Sequence, residues 1–320
     1  METGEREHWY RLGAFMDQVG RSRLGLLFDI IPSITWYANN PDEIPERFRS
    51  TIQKILQMWD TAKLTNEYDI DFSLLVDYAM NAERRWRKNI DQISLGEAPN
   101  TDTHEGIDHS AYLEMLNARH LAAIPWITSS FQEGQYKSAV DLGGGAGTAL
   151  RLLKDQKIIE KAFLVDTPGM VDEFERSRFA PNADETFVGD ITTYSTWLEL
   201  LQKTVEKPSL WIISDVLHGR SLSDRGEIYR NISDMLATSL LVKEELKYTL
   251  PDIYIREFSG FSPIDTLLFD IQLKLFTQGQ LLTKEELSAE LGMCNLHLEL
   301  CHNTEFYYYG KVIRKELVDV

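Results

Sequence analysis

Two cysteines, Cys294 and Cys301, in a chain of 320 residues are too few to staple a fold, so a disulfide framework is excluded. Long apolar runs are also missing, and no stretch nears the roughly 18 residues that a membrane-spanning helix requires. Basic residues are in short supply: 33 Lys and Arg stand against 50 Asp and Glu, for a formal charge of −17. A nucleic-acid surface needs clustered cations to displace counterions, so that class of partner is disfavoured. The one basic run, Arg84-Arg85-Trp86-Arg87-Lys88, reads as a solvated helix face. The N-terminal residues Glu2, Glu5 and Glu7 are acidic where a signal or transit peptide would be basic, which leads to the expectation of a soluble, cytoplasmic protein. Internal repeats and low-complexity tracts are absent. What is present is a 43% apolar content, enough for the core of one large domain or two smaller ones.

The first hundred residues carry few strand signals. Apolar and aromatic residues crowd positions 9–37, where two amphipathic helices are expected before Pro32, Pro41 and Pro45 interrupt the pattern. Phe48, Ile52, Ile55, Leu56 and Trp59 then recur at three- and four-residue steps, and Phe72 to Trp86 do the same within a helix over 71–93. A polar, turn-rich stretch from Gly96 to Gly106 reads as a linker, dividing a helical domain over 1–106 from a second domain over 107–320. Asp108 is placed to cap the next helix. From residue 138 strands and helices alternate. Strands are expected at 139–142, 162–165, 186–188, 210–213 and 253–258, and helices at 147–156, 168–178, 223–237 and 264–277. This alternation predicts an α/β domain with a parallel sheet covered on both faces. Thr283-Lys284-Glu285-Glu286 forms a capping box for a further helix. Two β-like runs, 296–301 and 306–313, close the chain. The stretch 238–250 fits either a helix extension or a separate lid.

The chain is organised around Val140-Asp141-Leu142-Gly143-Gly144-Gly145-Ala146-Gly147. A buried strand runs into a glycine loop and then into a helical pattern, the first unit of a nucleotide-binding sheet. The glycines permit tight turning and close approach of a ligand, and the helix start offers free N–H groups. The spacing does not fit a dinucleotide fingerprint. Counted from Gly143, Thr148 falls where the last glycine belongs, and counted from Gly145, Leu150 does. An acid, Asp141, instead stands two residues before the first glycine. This arrangement resembles motif I of the class I S-adenosylmethionine-dependent methyltransferases.

In an open parallel sheet ligands bind beyond the carboxyl ends of the strands, and several strands here end in a polar residue. Asp166, 19 residues after Gly147, is placed to accept the hydroxyls of a ribose. Asp190, after Gly189, could receive an adenine amino group. His218, just past the fourth strand, has an intrinsic pKa suited to a general base, and Glu257 within an apolar strand is a suitable partner for it. A buried carboxylate is costly unless paired, so a plain salt bridge is the competing reading of Glu257. Cys294, His297, Cys301 and His302 could suggest a metal, but the alternation of Leu296, Leu298 and Leu300 reads as a half-buried strand and the spacing is not a familiar zinc form. No metal is expected.

Together these residues resemble the small-molecule O-methyltransferases of the caffeate and hydroxyindole type, including their bacterial relatives, from about residue 110 onward. Tyr112-Leu113-Glu114-Met115-Leu116-Asn117 is similar to the helix preceding motif I, Val165-Asp166-Thr167-Pro168 to the ribose-binding segment, and Gly189-Asp190 to the adenine motif. Leu217-His218 falls where the family keeps its catalytic base, and Glu257 where a glutamate orients that base. Gly279 to Glu286 resembles the late glycine–threonine–acid segment, and Gly25-Leu26-Leu27-Phe28-Asp29 the helical dimerisation domain. The resemblance implies a Rossmann-like, seven-stranded methyltransferase sheet with an antiparallel last strand, a homodimer joined through N-terminal helices, and S-adenosylmethionine as cofactor. It implies a cofactor site of Asp141, Gly143, Gly144, Gly145, Asp166, Asp190, Ile191 and Ser214, and a catalytic pair of His218 and Glu257. Met115, Phe269 and Leu273 are candidates to line the pocket of a small aromatic or secondary-metabolite acceptor, with core packing as the alternative for each. Three departures from the family pattern stand out. Gly219-Arg220 replace Asp-Trp after the histidine, Ser214 replaces a lysine, and Leu281 and Leu282 stand where a second glutamate precedes the late threonine. The reaction implied is methyl transfer to a hydroxyl. An N- or C-methyltransferase and a non-catalytic cofactor-binding paralogue remain as alternatives, and a dehydrogenase fits the glycine spacing less well.

Overall fold

A computed structural model of the chain describes Lys88, Gln92, Leu95 and residues 108–121, 130–204, 208–246, 250–258, 279–303 and 307–315. The helices expected over 9–37, 48–59 and 264–277, the linker over 96–106, and Phe269 and Leu273 lie outside these residues. Of the helix expected over 71–93, Lys88 and Gln92 are described, and both are helical. The chain forms two compact units, the last passage from the first to the second falling between Met115 and Leu116.

Helix α1 (His109–Leu121) begins as its capping residue dictates. Asp108 Oδ1 accepts hydrogen bonds from the main-chain N–H groups of Ser110 (2.9 Å) and Ala111 (3.3 Å), donors that the first turn would otherwise leave unpaired.

The second unit alternates as the sequence predicts: β1 (Ser138–Leu142), α2 (Thr148–Asp155), β2 (Lys161–Asp166), α3 (Pro168–Arg176), β3 (Glu185–Val188), α4 (Tyr194–Thr204), β4 (Ser209–Ser214), α5 (Leu222–Leu246), β5 (Asp252–Phe258), α6 (Lys284–Met293), β6 (Leu296–Asn303) and β7 (Tyr307–Arg314). The seven strands form one sheet in the order β3-β2-β1-β4-β5-β7-β6. Strands β1 to β5 are parallel to one another, and β7 runs antiparallel to both β5 and β6. Every residue of β1 and β4 is buried, as expected for central strands covered on both faces. On one face Trp211 and Ile213 of β4 pack in a core that includes Trp197 of α4, Ile228 and Ile232 of α5, and Leu287 of α6.

Two helices differ from the expectation. Helix α4 is absent from the sequence reading, yet Trp197, Leu200 and Thr204 have helical spacing and are buried. The Trp197 indole anchors it, donating from Nε1 to the carbonyl of Ile191 at 2.7 Å and lying 5.7 Å from the Trp211 ring centroid. Helix α5 continues through 238 to Leu246, which resolves that part of the ambiguous stretch as a helix extension. Helix α6 starts at its capping box: Thr283 Oγ1 accepts from Glu286 N–H (3.1 Å) and Glu286 Oε2 accepts from Thr283 N–H (2.8 Å). Among the described residues no helix is long and apolar enough to cross a membrane.

The strand order fixes where a ligand can bind. After β1 the chain moves outward through β2 and β3, then crosses back to lay β4 on the other side of β1. The connections leaving β1 and β4 therefore diverge and open a crevice at their carboxyl ends, the switch point of a doubly wound sheet.

Candidate active site

The loop after β1 lies at that crevice. Gly143, Gly145 and Gly147 have positive φ angles of 77°, 52° and 62°. At Gly145 the requirement is double. Its backbone is one that L side chains rarely adopt, and a Cβ there would stand 2.5 Å from Leu116 Cδ1. A Cβ on Gly143 would stand 2.7 Å from Val216 Cγ2, so this loop packs directly against the segment that follows β4. Buried polar side chains brace the loop from behind: Asn182 Nδ2 donates to the Ala146 carbonyl (2.8 Å), and Thr148 Oγ1 donates to Asn117 Oδ1 (2.9 Å).

Three aspartates stand at or just beyond the carboxyl ends of β1, β2 and β3, each in a different state. Asp141 is 1% exposed, and among the described residues neither carboxylate oxygen has a hydrogen-bond partner. Burial, with the nearby charge of Asp166 added, pushes its carboxyl up to about 7. Asp166, half-buried at the end of β2, accepts from Gly145 N–H through Oδ2 (3.0 Å) and from Thr167 N–H through Oδ1 (2.8 Å). These bonds fix the carboxylate at the strand end. Asp190 is exposed after β3 and accepts from Thr192 N–H (2.9 Å), forming a turn of its own. Ile191 beside it is a core residue whose carbonyl receives Trp197 and Asn231.

The second half of the site follows β4. His218 sits on a 3-10 turn, Leu217–Gly219, and is 6% exposed. Its Nδ1 lies 2.7 Å from Glu257 Oε2. Glu257 is fully buried on β5, and its other oxygen accepts from the N–H groups of Val216 (3.1 Å) and Leu217 (2.7 Å). A carboxylate only accepts, so Nδ1 donates in this pair, and Nε2 is the ring nitrogen that in the neutral tautomer can act as a base. The pairing expected from sequence is therefore present in the geometry. Gly219, where the family has an aspartate, faces open space: a Cβ there would meet nothing within 4 Å. Ser214 is buried, with its hydroxyl 3.4 Å from Arg256 Nη1. Met115 is half-buried on α1.

Sequence reasoning missed an ion pair beside this turn. Asp215, with φ of 57°, pairs with Arg256, and His120 Nε2 lies 3.7 Å from its Oδ2. The signal was available in the dipeptide Arg256-Glu257: two successive charged residues in an apolar strand must both be paired if both are buried, and their exposures are 4% and 0%. Asp215, His218 and Glu257 bring one ligand-type atom each within 4.8 Å of one another. Such a set can hold a cation, but Arg256 already stands against Asp215, and the oxygens of Glu257 already serve the turn and the imidazole. At the other end of the chain, β6 buries Leu296 and Leu298 and exposes His297 and Glu299, the alternation of a half-buried strand.

No family model matches the sequence, and no curated protein matches it. Solved structures do match the fold. An O-methyltransferase family protein from Burkholderia thailandensis is 11% identical, with a TM-score of 0.54 over 75% of this chain and 71% of that one. Human N-acetylserotonin methyltransferase, determined in complex with SAM, is 17% identical, with a TM-score of 0.55 over 76% of this chain and 70% of that one. The mitomycin 7-O-methyltransferase MmcR is 18% identical, with a TM-score of 0.53 over 76% of this chain and 72% of that one. At these identities the likeness is one of architecture: the chain has the Rossmann-like, seven-stranded fold of these methyltransferases.

Proposed function

We propose that the chain is an S-adenosylmethionine-dependent methyltransferase that methylates a hydroxyl of a small acceptor, with His218 as general base. The observation that carries this reading is a juxtaposition. A glycine cradle with an orphaned carboxylate lies against the turn that presents a carboxylate-paired histidine, the two meeting at Gly143 and Val216.

The residues at the crevice fit the cofactor. Gly143 and Gly145 keep the loop free of side-chain bulk. Asp166, fixed by two main-chain bonds at the end of β2, is the carboxylate placed to accept the ribose hydroxyls. Asp190 lies at the strand end where an adenine amino group would be received, with Ile191 and Ser214 flanking the site. The unpaired carboxylate of Asp141 is complementary to an ammonium. When bound, the cofactor supplies an electrophilic methyl group on a sulfonium. His218 takes the acceptor's hydroxyl proton at Nε2, and Glu257 holds the ring in the tautomer that can do so and stabilises the imidazolium that forms. Such a base contributes a factor of about 10²–10⁴ in rate. Met115, Phe269 and Leu273 are proposed to border the acceptor, and the helical segment over 1–106 to pair two copies of the chain.

The pair of His218 and Glu257 supports catalysis over a paralogue that only binds the cofactor: the main-chain bonds of Val216 and Leu217 account for Glu257 Oε1, and the imidazole takes Oε2. Transfer of a labelled methyl group from S-adenosylmethionine to a panel of phenols tests the reading. Transfer that collapses in His218→Ala supports it. Donor binding with transfer to amines but not to phenols would replace it with N-methylation.

A further inference from the structure

The turn that carries His218 is held from two sides. On one side Glu257 accepts from Val216 and Leu217 and from the imidazole itself. On the other, Arg225 donates from Nη1 to the carbonyl of Arg220, two residues past the histidine, at 2.8 Å. We propose that Arg225 and Glu290 are positioning residues for His218, acting through the main chain of this turn; the catalytic meaning of that role rests on the methyltransferase reading.

Arg225 is 1% exposed in the first turns of α5, and every edge of its guanidinium is engaged. Nε donates to Glu290 Oε2 (2.8 Å) and Nη2 to Oε1 (2.6 Å), a two-pronged pairing with a carboxylate on α6. Tyr229, one helical turn after Arg225, donates to the same Oε2 at 3.0 Å. Glu290 thus fixes the plane of the guanidinium, and the one edge left over points at the Arg220 carbonyl.

A purely structural role explains this poorly. Where two helices meet in a core, a buried ion pair is seldom more stabilising than apolar residues of similar volume. Leucine or methionine at 225 and 290 would join α5 to α6 at least as well, in a core that already holds Ile228, Leu287 and Leu291. What apolar residues cannot supply is a donor aimed at a main-chain carbonyl. The sequence supplies a reason for needing one. The residues after His218 are Gly219 and Arg220, and Gly219 has no side chain with which to anchor the turn. Leu281 and Leu282 stand where the resemblance leads one to expect a second glutamate. Leu282 is itself buried, and its carbonyl is taken by the Tyr308 hydroxyl. Glu290, two helical turns into α6, places a carboxylate in this neighbourhood by another route, and Arg225 carries its hold to the turn.

The experiment is ¹⁵N-histidine NMR of the full chain, which needs neither donor nor acceptor. In the wild type the Nδ1 proton of His218, held by Glu257, gives a downfield resonance, assigned by its loss in His218→Ala. The double variant Arg225→Met/Glu290→Leu removes the ion pair without stranding a single charge. The variant also takes the acceptor from the Tyr229 hydroxyl, so the expected result is a folded protein whose melting temperature falls by no more than about 10 °C, with the Nδ1 proton lost from the spectrum or exchanging with water at least about tenfold faster. Should the double variant fail to fold, Glu290→Gln, which keeps an acceptor for one edge of Arg225, carries the same comparison. An unchanged Nδ1 resonance in the folded variant overturns the proposal. Titration with S-adenosylhomocysteine runs alongside: wild-type protein that gives the resonance but binds no ligand would refute the methyltransferase reading and leave the clamp standing. With an accepted phenol in hand, kcat of the double variant should fall by about 10- to 100-fold, as misplacement of a reacting group by about an ångström does, while donor affinity is unchanged.

Discussion

The strand ends of β1, β2 and β3 and those of β4 and β5 handle polar groups in opposite ways. At the first, Asp141 is buried with no partner on either oxygen, and the loop beside it is stripped of side chains by three glycines of positive φ. At the second, the groups are matched within the chain: Glu257 with the turn and with His218, Asp215 with Arg256, and Glu290 with Arg225 and Tyr229. An orphaned buried carboxylate has a free-energy cost that a ligand can remove. A carboxylate already paired within the chain gains less from a ligand's charge and instead fixes geometry. On the proposed reading the first region binds and the second positions.

The sharpest way to break this comparison is at His218. Replacement by alanine is expected to lower methyl transfer by about 10²–10⁴-fold while S-adenosylhomocysteine still binds. A loss below about tenfold, measured by transfer of labelled methyl, would mean that the second region does not supply the base. Glu257→Ala should act mainly on folding. It leaves two buried main-chain donors and an imidazole N–H unpaired, at about 1–3 kcal/mol each, and urea melts should show the loss.

Gly145→Ala addresses the binding region. Forcing an L side chain into that left-handed backbone costs about 1–2 kcal/mol, and the new Cβ must displace Leu116. Weaker S-adenosylhomocysteine binding and a lowered melting temperature are expected together.

Asp141 gives a pH test with a definite sign. Its folded pKa of about 7 lies above the ordinary 3.8. The stability this group contributes is therefore present below about pH 4 and is lost as pH rises toward 7, where the native carboxyl gives up its proton. A cationic ligand group beside it favours the ionised form, so donor affinity should rise by up to about tenfold per unit between about pH 5 and about pH 7 and then level off. Asp141→Asn should flatten that profile in calorimetric titrations. The smallest effect is expected from Asp190→Ala. Asp190 is exposed and already spends one oxygen on its own turn, so a loss of about 1 kcal/mol or less in donor binding is predicted.

The same contrast explains what could be read from the sequence. The binding region is local in the chain: strand, acid and glycines fall within Val140 to Gly147, and Asp166 follows at the end of the next strand. The parallel strands announced themselves as apolar runs, and Asp108 and Thr283 marked the starts of their helices. The positioning region joins residues distant in sequence. Glu257 lies 39 residues from His218, and Glu290 lies 65 from Arg225. Glu257 was found because a carboxylate in an apolar strand is conspicuous. Arg225 and Glu290 were not, because each sits in an otherwise ordinary polar helix and only the packing of α5 on α6 shows that both are buried. Helix α4 was missed for a different reason: its apolar stripe is three residues, Trp197, Leu200 and Leu201, and its stability comes from Trp197 reaching the Ile191 carbonyl, a contact no pattern encodes.

The central claim is that the glycine loop and its three aspartates form the seat of a methyl donor. It is tested most directly by calorimetric titration of the purified chain with S-adenosylhomocysteine, alongside Asp166→Asn. Saturable heat in the wild type, weakened by roughly tenfold or more when the Asp166 carboxylate is neutralised, is the predicted result. No heat in the wild type at millimolar ligand, or heat that Asp166→Asn leaves untouched, would contradict it.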